Sequence, residues 1–246
     1  MSQIVKMWSV EYPQLSIYTQ QILLMVAGPL AMGMFFKKDG RNYRIHWAIF
    51  PLWNDELDLS PKYAAIFEPL RDKNSHPLDI PLDLHEHYYL RDVEYINEQF
   101  GALINREIKL SDIIYFLYGE IDRVYYLNRF HESSTIIYEL LLGIAVFLED
   151  EDLKENIKSD INKVGDRWSR ERFKNVHAKT YEQWREELDL QFGDRESFME
   201  KVRANASTPR IANLNRSVII KDQEFEYQPY ETPGRGWRRF LPKCWR

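Results

Sequence analysis

The 246-residue sequence has little of the chemistry that marks several protein classes. It contains one cysteine, Cys244, together with ten glycines and eleven prolines. A single cysteine excludes an internal disulfide framework and is typical of a reducing compartment, so we expect a cytoplasmic protein. The modest glycine and proline content, without any internal repeat, excludes collagen-like and low-complexity chains. The net charge of −5 argues against a surface that is wholly a nucleic-acid footprint.

Membrane-directed segments are also scarce. The first residues, MSQIVKMWSVEYPQ, lack the basic start and unbroken apolar run of a secretory signal, and we expect none. The longest apolar run, residues 22–36, would be about 22 Å long as a helix, against a hydrocarbon core of roughly 30 Å. Gly28-Pro29 interrupts it. We predict that this run is a buried core helix, and a membrane anchor is the alternative.

Common catalytic motifs are missing as well. The sequence has no glycine-rich phosphate loop, no G-x-S-x-G elbow and no H-E-x-x-H helix. What it does have is aromatic residues, at 14% of the chain. Aromatic side chains supply large areas to cores and to interfaces alike, so this excess favours a partner surface.

The hydrophobic pattern predicts a mainly α fold with a minor β element. A helix is expected over residues 16–36, kinked at Pro29, and helices dominate from about residue 92 onward. The alternation over residues 42–53 predicts a half-buried strand or hairpin, and a second strand is expected within residues 217–227. If the two strands pair, the fold is α+β. We divide the chain into an N-terminal α+β region (1–132), a C-terminal helical region (133–206) and an extended basic and aromatic tail (207–246).

Local signals fix several helix ends. Ser60 followed by Pro61 predicts a short helix that ends near residue 69 or 71. Ser111 is a candidate N-cap for the helix that follows it. Thr180 with Gln183 matches a capping box, and Asp194 is the expected cap of the next helix.

One spacing resembles a nuclease motif. The segments RDKNSH, residues 71–76, and RNYRIH, residues 41–46, place a histidine five positions after an arginine, and RFKNVH, residues 172–177, has the same spacing. This resembles the Arg-x4-His motif of HEPN-domain ribonucleases, which are metal-independent enzymes built on a helical bundle. The resemblance implies that a histidine moves protons while an arginine neutralises charge on the phosphate. We centre this hypothesis on Arg71 and His76.

A second cluster has the chemistry of metal ligands. In DLHEHYY, the side chains of Asp83, His85 and His87 would share one face if the segment were extended. Three such ligands hold a divalent metal with an open position. The alternative is a polar strand or loop, and we expect no cofactor.

The C-terminal tail is basic and aromatic. Residues 232–246 carry five positive side chains and no acidic one. Arginines interleaved with aromatic rings suit stacking, cation–π contact or phosphate binding. We expect the tail to pack back across the acidic body, with a docking arm for a partner protein, or a nucleic-acid or anionic-membrane contact, as alternatives. The candidate partner-binding residues are Arg235, Trp237, Arg238, Arg239, Phe240 and Trp245.

Together these observations predict a non-enzymatic cytoplasmic protein that binds another protein, either as an inhibitor or immunity-type protein or as a subunit of a larger assembly. A HEPN-like ribonuclease that uses Arg71 and His76 is the first alternative. A metal-dependent hydrolase that uses Asp83, His85 and His87 is the second.

Overall fold

The structure is a computed structural model that describes residues 1–128, 131–222 and 225–227. Helix accounts for 54% of it and strand for 21%, and the strands form one curled, mixed, eight-stranded sheet with the shape of a half-barrel. The fold is therefore α/β, and the predicted mainly α fold with a minor β element is wrong.

The sheet is built largely from the first third of the chain. Its strands are β1 (Ser16–Thr19), β2 (Ile22–Ala27), β3 (Leu30–Asp39), β4 (Asn42–Pro51), β5 (Ile66–Pro69), β6 (Ile80–Pro81), β7 (Glu107–Lys109) and β8 (Arg216–Ile220). Their order is β5-β4-β3-β2-β8-β7, with β1 also paired to β2 and β6 to β4. The late strand β8 lies parallel to β2 and β7, whereas the other pairs are antiparallel.

Helices make up most of the rest of the described chain. They are α1 (Ser2–Glu11), α2 (His85–Phe100), α3 (Leu110–Asn128), α4 (Thr135–Phe147), α5 (Glu151–Gly165), α6 (Arg170–His177), α7 (Tyr181–Gly193), α8 (Arg195–Ala206) and α9 (Pro209–Ala212). The predicted capping box of Thr180 with Gln183 is confirmed at the start of α7. The predicted cap is also confirmed at α8, where the Asp194 carboxylate accepts from two backbone N–H groups. Within the described residues, no helix combines the length and apolar character needed to cross a membrane.

The apolar run 22–36 is buried as predicted, but it is a β-hairpin and not a helix. All six residues of β2 are buried. A strand covered on both faces is apolar at every position, so it has no period of two that would distinguish it from a buried helix. Gly28-Pro29 is the two-residue loop that joins β2 to β3. Gly28 has φ +55°, which suits the first central position of a type II′ turn.

The other strand predictions have mixed outcomes. The strand expected over 42–53 is confirmed as β4, although its second half is buried on both faces. The short helix expected from Ser60 is only a 3₁₀ turn, Pro61–Tyr63, and the residues after it form β5 against β4. The strand expected within 217–227 is present as β8, but it pairs with β2 and β7 and not with β4.

Aromatic contacts attach helices to the sheet. The Trp8 ring of α1 lies 6.3 Å from Phe36, measured between centroids. Trp47 of β4 stacks on Phe100 of α2 at 5.2 Å. Through these contacts α1 and α2 cover one face of β3 and β4.

Candidate functional site

The loop that carries Arg71 and His76 is fixed by Asp72. The Asp72 carboxylate accepts backbone N–H groups from Asn74 at 2.8 Å and from His76 at 2.9 Å. The Asp72 backbone N–H donates to the His76 carbonyl at 2.9 Å. These bonds hold the pKa of Asp72 below its usual value. The loop is therefore a closed, hydrogen-bonded turn, with Arg71 at its start and His76 at its end.

The two side chains of this loop have different partners. The His76 side chain is 77% exposed, and its Nδ1 lies 3.8 Å from the Asp72 carboxylate. The Arg71 guanidinium instead donates to the Ser75 carbonyl at 2.9 Å and to Glu68 at 3.4 Å. The structure thus places Arg71 and His76 in one loop, with the arginine already paired to a carboxylate.

Arg71 is one end of a buried chain of charges. Glu68 of β5 binds Arg71 through Oε2 and Arg123 of α3 through Oε1. Arg123 also donates from Nε to Glu120 at 2.8 Å. The order Arg71–Glu68–Arg123–Glu120, called here the charge chain, joins the edge strand of the sheet to α3.

Burial sets the protonation of this chain. Glu120 is 1% exposed, and its Oε1 has no hydrogen-bond partner within the described part of the chain. Burial raises the pKa of Glu120 to about 8, with a further rise from the charge of Glu68 and an opposing effect of Arg123. Burial also raises the pKa of Glu68, against the two arginines. Burial therefore favours the protonated, neutral form of Glu120 over its carboxylate.

Sequence reasoning missed the charge chain, although one signal was present. Glu120 falls three residues after Leu117 and one before Ile121, on the apolar stripe of α3. A carboxylate at such a position must be paired or protonated when the helix packs. Its direct partner, Arg123, lies in the same helix, but Glu68 and Arg71 come from a distant part of the chain for which the pattern predicts a short helix.

The other two Arg-x4-His segments lie elsewhere. Arg41 is exposed in the β3–β4 turn, whereas His46 is buried in β4 and stacks on Phe67 at 4.2 Å. Burial, with the positive charges of Lys37 and Arg44, lowers the pKa of His46 to about 4. Arg41 and His46 therefore lie in different environments and do not form a joint site.

Arg172 and His177, by contrast, meet at one residue. The buried Glu132 carboxylate accepts Arg172 Nε at 3.2 Å and the Ser169 backbone N–H at 2.9 Å. Its backbone carbonyl lies 2.6 Å from His177 Nε2. Because Glu132 engages both ends of α6, the arrangement fastens that helix to the preceding chain.

Asp83, His85 and His87 are not in an extended segment. Asp83 lies in the 3₁₀ turn Leu82–Leu84, and the two histidines lie in the first turn of α2. Residues two apart on a helix point about 200° apart. His85 turns inward, with Nδ1 2.5 Å from the Tyr43 hydroxyl, while His87 is exposed beside Tyr88. Among the described residues, no group of three His, Cys, Asp or Glu side chains could hold a metal ion.

The outer face of α2 is rich in exposed apolar and aromatic residues. Leu90 is 81% exposed and Leu84 is also exposed. Arg91 lies over the Tyr88 ring, with Cζ 4.2 Å from the centroid, and 5.9 Å from that of Tyr95. We call the face formed by Leu84, Tyr88, Arg91 and Tyr95 the α2 surface; Leu90 points about 200° away from Tyr88 and lies outside it.

A buried carboxylate holds the arginine of this surface. Asp92, fully buried, accepts both Nε and Nη2 of Arg91 on one oxygen, at 2.9 and 2.6 Å. Burial raises the pKa of Asp92, and Arg91 opposes that rise. The Arg91 side chain is thus fixed by one ion pair and two aromatic rings.

The predicted partner-binding residues of the tail lie outside the described residues. They are Arg235, Trp237, Arg238, Arg239, Phe240 and Trp245.

Comparisons with protein-family models, with curated proteins and with solved structures give no match.

Proposed function

We propose that this is a non-enzymatic cytoplasmic protein that acts by binding another protein, as an inhibitor or immunity-type protein or as a subunit of a larger assembly. The observation that carries the proposal is the α2 surface, where Leu84, 44% exposed, lies on the same face as an arginine held between two tyrosines. The single cysteine supports the cytoplasmic assignment.

The composition of the α2 surface favours a protein partner. Tyrosine and arginine are enriched among the residues that dominate binding energy, and large exposed apolar side chains mark contact sites. Arg91 is already ordered by Asp92 and by Tyr88, so less side-chain entropy is lost when a partner covers it.

A capture experiment with a matched control tests the proposal. The tagged protein is used as bait in its host, and captured proteins are quantified by mass spectrometry. Leu84→Asp is expected to reduce capture of the partner at least tenfold, because it places a charge in an apolar contact. The control is Leu190→Asp on α7, whose side chain is 82% exposed, and it should capture as wild type does. Equal capture by both variants contradicts the assignment of this face.

The purified pair then gives the energetics. Tyr88→Ala and Arg91→Ala are each expected to weaken binding by about 2 kcal/mol, the range of residues that dominate an interface. Titration calorimetry with the identified partner measures this.

We assign a second partner contact to the tail residues on their chemistry alone. Arg235, Trp237, Arg238, Arg239, Phe240 and Trp245 combine positive charge with aromatic rings. Deletion of residues 234–246 is expected to lower both the melting temperature and partner capture. A truncated protein that melts and binds as wild type does would remove this assignment.

A metal-independent ribonuclease is the second candidate. Its support is the exposed His76 imidazole in a loop fixed by Asp72, with Arg71 at the other end. If it holds, wild type cleaves single-stranded RNA in EDTA, and His76→Ala abolishes cleavage without changing the melting temperature. We expect no cleavage, because the Arg71 guanidinium is already paired with Glu68.

A further inference from the structure

A cavity of about 380 Å³ opens where β1 and β8 both meet β2. It lies between the connection from α1 to β1, the residue before β7, and the first residues of β8. The lining residues are Pro13, Gln14, Arg106, Asn215, Arg216 and Ser217. This cavity is separate from the charge chain and from the α2 surface.

Hydrogen bonds hold the cavity walls in place. The Asn215 side-chain amide donates to the Pro13 carbonyl at 2.9 Å, and the Asn215 backbone N–H donates to Ser16 Oγ at 2.8 Å. The Ser217 hydroxyl donates to the Asn105 carbonyl at 2.6 Å. The three chain segments around the cavity are therefore tied to one another, and the cavity is preformed.

Among the described residues, the charged groups of the lining are all positive. Arg106 and Arg216 line the cavity, and no aspartate or glutamate of the described chain does. Arg216 donates to the Ala206 carbonyl at 3.2 Å, and within the described residues neither arginine forms an ion pair. Several other guanidinium groups of this acidic chain lie beside carboxylates, as Arg44 does beside Asp79 at 2.6 Å. Two exposed guanidinium groups without an ion pair at one cavity favour an anion there.

We propose that this cavity binds a small phosphate monoester. Paired arginines match the geometry of phosphate oxygens, because each guanidinium presents a planar fork of N–H donors. The volume is near the lower end of small-molecule sites, which run from about 300 to 1,000 Å³. Gln14 adds an amide that donates to and accepts from a hydroxyl. The part of the lining that the structure describes has no aromatic ring on which a nucleobase would stack, so the ligand class is a short hydroxylated phosphate ester rather than a nucleotide.

Calorimetric titration of the whole protein with glycerol 3-phosphate at low salt tests the site. Wild type is expected to bind one equivalent with a saturable heat, and Arg106→Gln to weaken binding at least tenfold, the cost of losing a charge-assisted hydrogen bond. Arg216→Gln is expected to do the same. Arg41→Gln, which removes an exposed arginine from the β3–β4 turn, is the matched control and should bind as wild type does.

The two arginine variants differ in whether an effect on folding could accompany the loss of ligand binding. Arg216 also contacts the Ala206 carbonyl at the end of α8, so its removal can affect folding, whereas Arg106 has no such contact within the described residues. Arg106→Gln with an unchanged thermal melt is therefore the decisive variant. Arg216→Lys, which keeps the charge and loses the fork, should bind more weakly than wild type and more tightly than Arg216→Gln.

Three further ligands identify the chemistry that is recognised. Inorganic phosphate should compete with glycerol 3-phosphate, whereas glycerol should not. Succinate should bind more weakly than the ester. Absence of saturable binding, binding that Arg106→Gln leaves unchanged, or a preference for succinate would each overturn the assignment.

Discussion

Glu120→Gln is expected to change how the stability of this protein depends on pH. Glu120 is buried at the end of the charge chain, and burial raises its pKa from 4.5 to about 8. Glutamine has nearly the same shape, stays neutral, and keeps a carbonyl oxygen that can accept from Arg123 Nε. The substitution therefore removes one titration and leaves the packing of α3 almost intact.

The sign and size follow from proton binding. Between about pH 4.5 and pH 8 the folded protein holds a proton on Glu120 that the unfolded chain has released, so the free energy of unfolding falls as pH rises through this window. Each pH unit is worth about 1.4 kcal/mol for a single group, which gives a total of up to roughly 5 kcal/mol. The stabilisation that comes from the proton retained on Glu120 is complete below about pH 4.5 and is lost above about pH 8. Relative to wild type, Glu120→Gln should thus gain stability progressively up to pH 8.

Urea unfolding at a series of pH values from 5 to 9 measures this difference, since titrations remote from the charge chain are the same in both proteins. Glu94→Gln is the control, because Glu94 is an exposed glutamate of α2 and its removal should shift the whole curve little. Parallel curves for wild type and Glu120→Gln would refute the reasoning, because they would mean that Glu120 is charged in the folded protein.

Three further predictions concern stability. The pKa of His46 is lowered to about 4. The stabilisation that depends on a neutral His46 imidazole is therefore complete above about pH 6.5 and is lost as pH falls toward 4. His46→Leu should remove this loss of stability at acid pH, as measured by the melting temperature from about pH 4 to 7. Gly33→Ala should cost on the order of 3 kcal/mol in urea unfolding, because a Cβ there would lie 2.1 Å from the Leu23 carbonyl oxygen, whereas Gly193→Ala, with open space around it, should be nearly neutral. Thr180→Ala should lower the free energy of unfolding by about 1 kcal/mol through loss of the α7 capping box, and Thr180→Ser should restore most of it.

Signals that act within a few residues predicted structure well. The Thr180–Gln183 box and the Asp194 cap depend on side chains and backbone groups in the same helical turn, so neighbouring sequence contains the whole interaction. The run 22–36 failed for the opposite reason. Whether six apolar residues form a strand or a helix turn depends on distant parts of the chain, and β2 pairs with β3 and with the late strand β8 and is buried at every position.

The candidate sites show the same division. The aromatic and charged residues of the α2 surface lie close together in the sequence. The pattern around His85 and His87, however, predicts a polar extended segment where α2 begins. The charge chain joins β5 to α3, and the phosphate cavity joins residues near 14, 106 and 216. Neither grouping has a local signature, because each exists only after the sheet is assembled.

The parallel pairing of β8 with β2 has a consequence for biosynthesis. Val26 and Ala27 of β2 pair with Arg216 and Ser217, about 190 residues later in the chain. At translation rates of about 5 to 20 residues per second, the β2 edge waits about 10 to 40 s for its partner. During that interval the ribosome-bound chain exposes unpaired backbone on a strand that is apolar at every position, which is the kind of segment that aggregates or recruits chaperones. We expect nascent chains halted before residue 216 to be protease-sensitive and chaperone-bound, and chains halted well beyond residue 220 to be released from both.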